Sequence, residues 1–215
     1  MKRAPKTSAA TGSMPHVADA GAPVPAATAV VLQAASLLLD YPSQVCAEED
    51  VELIAAALAE LPRSAAKRRL ERFLDWWRRL TDGERERSYV ATFDLDRTVT
   101  LYLTEGRPRT SRERGAALLE LRRAYRRGGT NVVCDELPDY LPLMLEVAAH
   151  ASAGGMLLTA ERPALEALAA ALDERRSPFN LVVAAVLAVL PATSANSSAG
   201  DSATALADAA QAGRS

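Results

Sequence analysis

Apolar residues recur along most of this chain at spacings of three and four, the period of an amphipathic helix. Val51, Ile54, Leu58 and Leu61 form one such stripe, closed by Pro62. Leu70, Phe73, Leu74 and Trp77 form a second, and Ser64 is placed to cap its start. Ahead of both, the apolar stretch Thr28 to Leu39 stops before Tyr41-Pro42, because proline disfavours a helical residue in front of it. Thr81-Asp82-Gly83 is a break. A fourth helix is predicted over Glu84 to Thr104. Ser111 is the expected cap of a fifth, which carries Leu118, Leu121 and Tyr125 and ends at Gly128-Gly129. A sixth is predicted over Pro138 to Ala151, and a seventh carries Leu165, Leu168, Ala169 and Leu172. Ser177-Pro178 opens a last helix with Phe179, Val182, Val183, Val186 and Leu190 on its apolar side. Asn131 to Cys134 is the sole β-like run and is short. The pattern predicts an all-α, single-domain bundle of about seven or eight helices over residues 29–191. Residues 1–28 are rich in Ala, Pro, Thr and Ser, and residues 192–215 in Ala, Ser, Gly and Asp. Neither tail can bury enough apolar surface to offset its ordering entropy, so both are expected to be disordered.

Composition narrows the function. Aromatics are 5% of the 215 residues, so the core must be mostly Leu, Val and Ala. A net charge of −2 argues against general nucleic-acid binding. Arginine is concentrated in two segments, Arg63 to Arg79 and Arg107 to Arg127. Within the second, Arg122, Arg123, Arg126 and Arg127 share a helix face that reads either as a solvated surface or as the docking face of a helical adaptor. The longest apolar run, Leu181 to Leu190, is half of the ~20 residues a spanning helix needs. Met-Lys-Arg at the start is not followed directly by an apolar segment. A cytoplasmic protein without stable membrane insertion is expected.

Chemistry is hard to place. Cys46 and Cys134 form no CxxC pair, and His16 and His150 are the only histidines, so the roughly four soft ligands of a zinc site are not available at a useful spacing. Glycine-rich phosphate loops, HExxH and GxSxG are all missing. No catalytic residue, metal or cofactor is expected. The carboxylates Asp135, Glu136, Asp139 and Glu146 read either as complements to a helix dipole or as a partner-binding rim. Tyr89 and Phe93, four apart, read as a core pair or as the lining of a peptide groove.

Three blocks carry a resemblance. YVATFDLDRTVTLYLT (Tyr89 to Thr104), RERGAALLELRRAYRRGG (Arg112 to Gly129) and DELPDYLPLMLEVAAH (Asp135 to His150) occur in that order, between LLLDYP (Leu37 to Pro42) and SPFNLVVAAVLAVLP (Ser177 to Pro191). Over about residues 30–191 the chain resembles the NarJ-type assembly chaperones of respiratory nitrate reductase. The resemblance implies an all-helical fold shared with the TorD and DmsD chaperones. It implies binding of the apo catalytic (alpha) subunit through its N-terminal segment, which keeps that subunit available for molybdenum cofactor and iron–sulfur insertion before membrane attachment. Proteins of molybdenum cofactor biosynthesis are a second implied class of partner, and nucleic acid is not one. The expected client-binding residues from the first block are Tyr89, Phe93 and Tyr102. From the third they are Asp135, Glu136, Leu137, Asp139, Tyr140 and Leu141. Glu136 and Asp139 are expected to be exposed acids whose removal costs little stability. An adaptor using the arginine face is the alternative.

Overall fold

A computed structural model describes residues 24–42, 48–95, 99–105, 110–130 and 136–191. Both tails predicted to be disordered, apart from residues 24–28, lie outside this set, as do Asn131 to Cys134 and Asp135. Nine helices are present among the described residues: α1 (Ala26–Leu39), α2 (Glu48–Ala59), α3 (Ala65–Trp77), α4 (Asp82–Phe93), α5 (Ser111–Arg127), α6 (Leu141–His150), α7 (Ser152–Ala160), α8 (Arg162–Glu174) and α9 (Asn180–Val189). None is long and apolar enough to cross a membrane.

Burial follows composition. The first helix is apolar around most of its circumference, and such a helix belongs in the middle of a bundle. It packs on α6, α9, α2 and α3, and buries Val31, Leu32, Leu38 and Leu39. The third helix has one apolar face. Leu70, Phe73, Leu74 and Trp77 turn inward against α9, Arg68 and Arg72 are exposed, and Arg69 is partly buried. Phe179 at the start of α9 is fully buried and meets Phe73 and Phe93 with ring centroids 5.4 Å and 4.9 Å apart. Arg85 of α4 is also buried. Its Nε–H donates to the Trp77 carbonyl at 3.2 Å and its guanidinium lies 5.6 Å from the Trp77 ring centroid, which ties α4 to the end of α3.

Several termini match their signals. Ser64 caps α3, its hydroxyl oxygen accepting the Lys67 N–H at 3.1 Å. After α5 the chain turns through Gly129 at φ 82°, with Thr130 N–H donating to Tyr125 O at 2.9 Å and Gly129 N–H to Arg126 O at 3.0 Å. That double bond with a left-handed residue is the usual glycine stop.

Several boundaries differ from expectation. Helix α4 starts at Asp82 within the predicted break, capped by a Thr81–Glu84 box, α6 starts at Leu141, and α9 starts at Asn180 without a Ser177 cap. Helix α1 begins at Ala26, inside the segment assigned to the tail. The cap of α5 is Thr110 rather than Ser111, because Thr110 and Glu113 form a reciprocal box: the Thr110 N–H donates to Glu113 at 2.7 Å, and its hydroxyl accepts the Glu113 N–H at 3.3 Å. Helix α4 ends at Phe93, and the described residues 94–95 and 99–104 are not helical. Val99, Leu101 and Leu103 are buried and Thr100 and Tyr102 only partly so, the alternation of an extended chain. The Thr100 hydroxyl accepts the Tyr102 N–H at 3.1 Å, a local bond that competes with a helical ladder. Finally, α7 covers a segment, containing Gly154 and Gly155, to which the sequence pattern assigns no helix.

Those two glycines are not equivalent. A Cβ on Gly154 would sit 2.7 Å from the backbone of Val147 and Ala148, so α7 abuts the end of α6 there. A Cβ on Gly155 meets nothing within 4 Å. Gly154→Ala should therefore destabilise the protein by about 1–3 kcal/mol through forced backbone movement. Gly155→Ala should stabilise it by about 0.5–1 kcal/mol through helix propensity. Paired chemical denaturation checks this; two changes of the same sign would refute the packing of α7 on α6.

Candidate functional site

The segment between Glu136 and Leu141 is clasped from two sides. Its carbonyls are all accounted for. Leu137 O accepts the Tyr140 N–H at 3.0 Å, Pro138 O accepts the Tyr125 hydroxyl of α5 at 2.6 Å, Asp139 O accepts the Leu103 N–H at 3.1 Å, and Tyr140 O accepts the Met144 N–H at 3.0 Å. Leu141 N–H donates to Leu101 O at 2.8 Å. Tyr102 and Tyr140 are thus paired in an antiparallel bridge, the one isolated bridge among the described residues, and their ring centroids are 5.2 Å apart.

Beside this pair opens a cavity of about 210 Å³. Tyr41, Tyr89 and Phe93 line it together with Tyr102 and Tyr140, and Asp94 and Glu136 supply its acids. Tyr89 is 5.3 Å from Tyr41 in an edge-on contact and 5.0 Å from Phe93, centroid to centroid. The hydroxyls face the protein. Tyr102 donates to Glu136 Oε1 at 2.9 Å, Tyr140 to Asp40 Oδ1 at 3.1 Å and Tyr89 to Leu39 O at 3.2 Å, and the Tyr89 and Tyr140 oxygens are 3.3 Å apart. Asp40 closes α1 and also accepts the Tyr41 N–H at 2.8 Å. Glu136 accepts the Leu137 N–H at 3.0 Å.

Five of the nine residues expected to bind a client therefore meet at one cavity: Tyr89, Phe93, Tyr102, Glu136 and Tyr140. Asp135 lies outside the described residues. Leu137 is partly buried and Leu141 is in the core. Asp139 contradicts the expectation of an exposed acid. It is 0% exposed, its Oδ2 accepting the Thr104 N–H at 3.2 Å and the Thr104 hydroxyl, with the Arg114 guanidinium 3.9 Å away. Its side chain turns inward because its neighbours Pro138 and Tyr140 are committed to α5 and to the bridge. Asp139 is a structural anchor under the cavity, and its removal strands the Thr104 donors. Asp40 and Tyr41 escaped the sequence reading, although LLLDYP, which contains them, was among the blocks carrying the resemblance.

The arginine face of α5 lies on the surface. Arg123 pairs with Glu120 at 2.7 Å, and Arg122, Arg126 and Arg127 are exposed. No group of three potential metal ligands is found among the described residues.

Comparison with known proteins resolves the family. A model of the nitrate reductase delta subunit family matches residues 37–184, which includes the cavity and all nine expected residues. The chain belongs to that family. Among individual relatives, the nitrate reductase-like protein NarX of Mycobacterium tuberculosis is 37% identical over 162 residues, 73% of this chain and 24% of NarX. The probable nitrate reductase molybdenum cofactor assembly chaperone NarJ of Bacillus subtilis is 34% identical over 122 residues, 57% of this chain and 66% of that chaperone. The NarJ chaperone of Escherichia coli is 32% identical over 148 residues, 67% of this chain and 62% of its own length. The matched region thus spans about a quarter of the first relative and just under two thirds of the two chaperones.

The delta-family cavity has a pH signature. Burial is the main cause that pushes the Tyr89 hydroxyl up to about 12. Burial, then the bond to Glu136, raises Tyr102, and burial, then the Tyr89 contact, raises Tyr140. Folded-state values above the free-tyrosine value of 10.0 mean that this stability is complete below pH 10 and is lost as pH rises through about 12 and beyond. Ultraviolet titration should show tyrosinate appearing late and together with the loss of helical circular dichroism. Ordinary titration of every tyrosine in a protein that stays helical would contradict this.

Proposed function

We propose that the chain is a system-specific chaperone. It binds the apo catalytic subunit of a respiratory nitrate reductase through that subunit's N-terminal segment. It holds the subunit in the cytoplasm for molybdenum cofactor and iron–sulfur insertion before membrane attachment, and meets proteins of molybdenum cofactor biosynthesis at that stage. Family membership supports the reading, as do relatives named as assembly chaperones of nitrate reductase. One structural observation supports a surface for it: residues from three distant parts of the chain converge on an aromatic, acid-bearing cavity, with no group of three potential metal ligands among the described residues.

The chemistry suits capture rather than catalysis. An amphipathic helix binds by seating side chains at i, i+3, i+4 and i+7 in a groove. The cavity has room for one such anchor. Leu95, 77% exposed and next in the chain to the lining residue Asp94, offers apolar surface for another. Ordering a free peptide costs several kcal/mol, which keeps the complex releasable.

Calorimetric titration with a peptide from the N-terminus of the catalytic subunit tests the proposal. The expected result is a dissociation constant on the order of micromolar or tighter, weakened roughly tenfold by Tyr102→Ala in a variant whose thermal melt shows it still folded. Absence of any heat with the folded wild-type protein would overturn it.

A further inference from the structure

We infer that the cavity is a receptor for one arginine side chain, held over tyrosine rings between carboxylates. The inference rests on the chaperone reading for the source of that arginine, a client segment, and goes beyond it in assigning what the cavity selects.

Three observations support it. The first is the orientation of the tyrosines. The hydroxyls of Tyr89, Tyr102 and Tyr140 are turned to Leu39 O, Glu136 and Asp40, so a ligand meets ring surface and not free donors. These three hydroxyls are already committed as donors within the protein. The negative face of an aromatic ring attracts a cation within about 6 Å of its centroid. The second is charge. Asp94 and Glu136 line the cavity, Asp40 stands behind Tyr140, and no lysine or arginine is among the described lining residues. None of the three acids forms an ion pair with a described residue. Glu136 commits Oε1 to Tyr102 and Leu137, which leaves Oε2 toward a newcomer. A purely apolar anchor would cover these carboxylates and cost their hydration without return. The third is size. At about 210 Å³ the cavity has room for a long side chain. Of the two long cations, the guanidinium is planar, weakly hydrated and able to stack on aromatic faces and fork onto a carboxylate together, which the hydrated ammonium of lysine does less well.

The full chain should be titrated with N-acetylarginine amide and, separately, with N-acetylcitrulline amide, its neutral counterpart of nearly the same shape, while the tyrosine ring resonances are followed. The arginine amide should shift Tyr102 and Tyr140 with a dissociation constant on the order of millimolar, and Glu136→Gln should weaken this roughly fivefold. Equal shifts from the citrulline amide, or no shift from the arginine amide, would overturn the inference. A catalytic-subunit peptide with every arginine replaced by citrulline separates the two claims. If the native peptide binds and the replaced one binds equally well, the cation receptor falls and the chaperone reading stands. If the arginine amide binds and the native peptide does not, the receptor stands and the client assignment falls.

Discussion

A buried carboxylate draws hydrogen-bond donors to it, and Asp139 draws them to one oxygen, Oδ2, from a distant stretch of chain, while its Oδ1 has no hydrogen-bond partner among the described residues. Its partners are the N–H and hydroxyl of Thr104, with Arg114 of α5 close enough to balance its charge. These contacts accompany the placement of residues 101–103 beside 139–141. The pairing of Leu103 with Asp139 and of Leu101 with Leu141 sets Tyr102 and Tyr140 side by side. Tyr140 then reaches Asp40 at the end of α1, one hundred positions earlier. Three remote segments thus form one wall of the cavity, with a single buried acid beneath it.

Most of the helical frame was legible in the sequence, because period, caps and breakers are local signals. Ser64, Gly129 and the Trp77 stripe needed no tertiary information. The misreadings share a cause. Residues 99–105 are apolar enough to extend α4 on paper, and their alternating burial is set by a bridge to Tyr140 that no local window contains. The sequence pattern assigns no helix to the α7 segment, where Gly154 is small enough to let α7 touch the backbone of Val147. Asp139 was taken for a surface acid like Glu136. Only the partners Thr104 and Arg114 distinguish the two, and both are remote in sequence. Phe93 packs on buried Phe179 and also lines the cavity.

The arrangement divides labour between core and surface. Aromatic weight is scarce in this chain, and it is spent in two connected places. One is the Phe73, Trp76, Trp77 and Phe179 cluster that locks α3 to α9. The other is the tyrosine set around the cavity. Phe93 and Tyr89 join them, each within 6.0 Å of Phe179. A surface that must bind and then release benefits from such a rigid floor, since less side-chain freedom remains to be lost on binding.

The central claim is that Asp139 organises the cavity from beneath. Amide hydrogen exchange in an Asp139→Asn variant tests it most directly, because Asn keeps the size and loses the charged acceptor. Protection at the Leu103 and Leu141 amides should fall on the order of tenfold, while the core amides of Leu74 and Val186 remain as in the wild type. A folded variant with unchanged protection at Leu103 and Leu141 would contradict it.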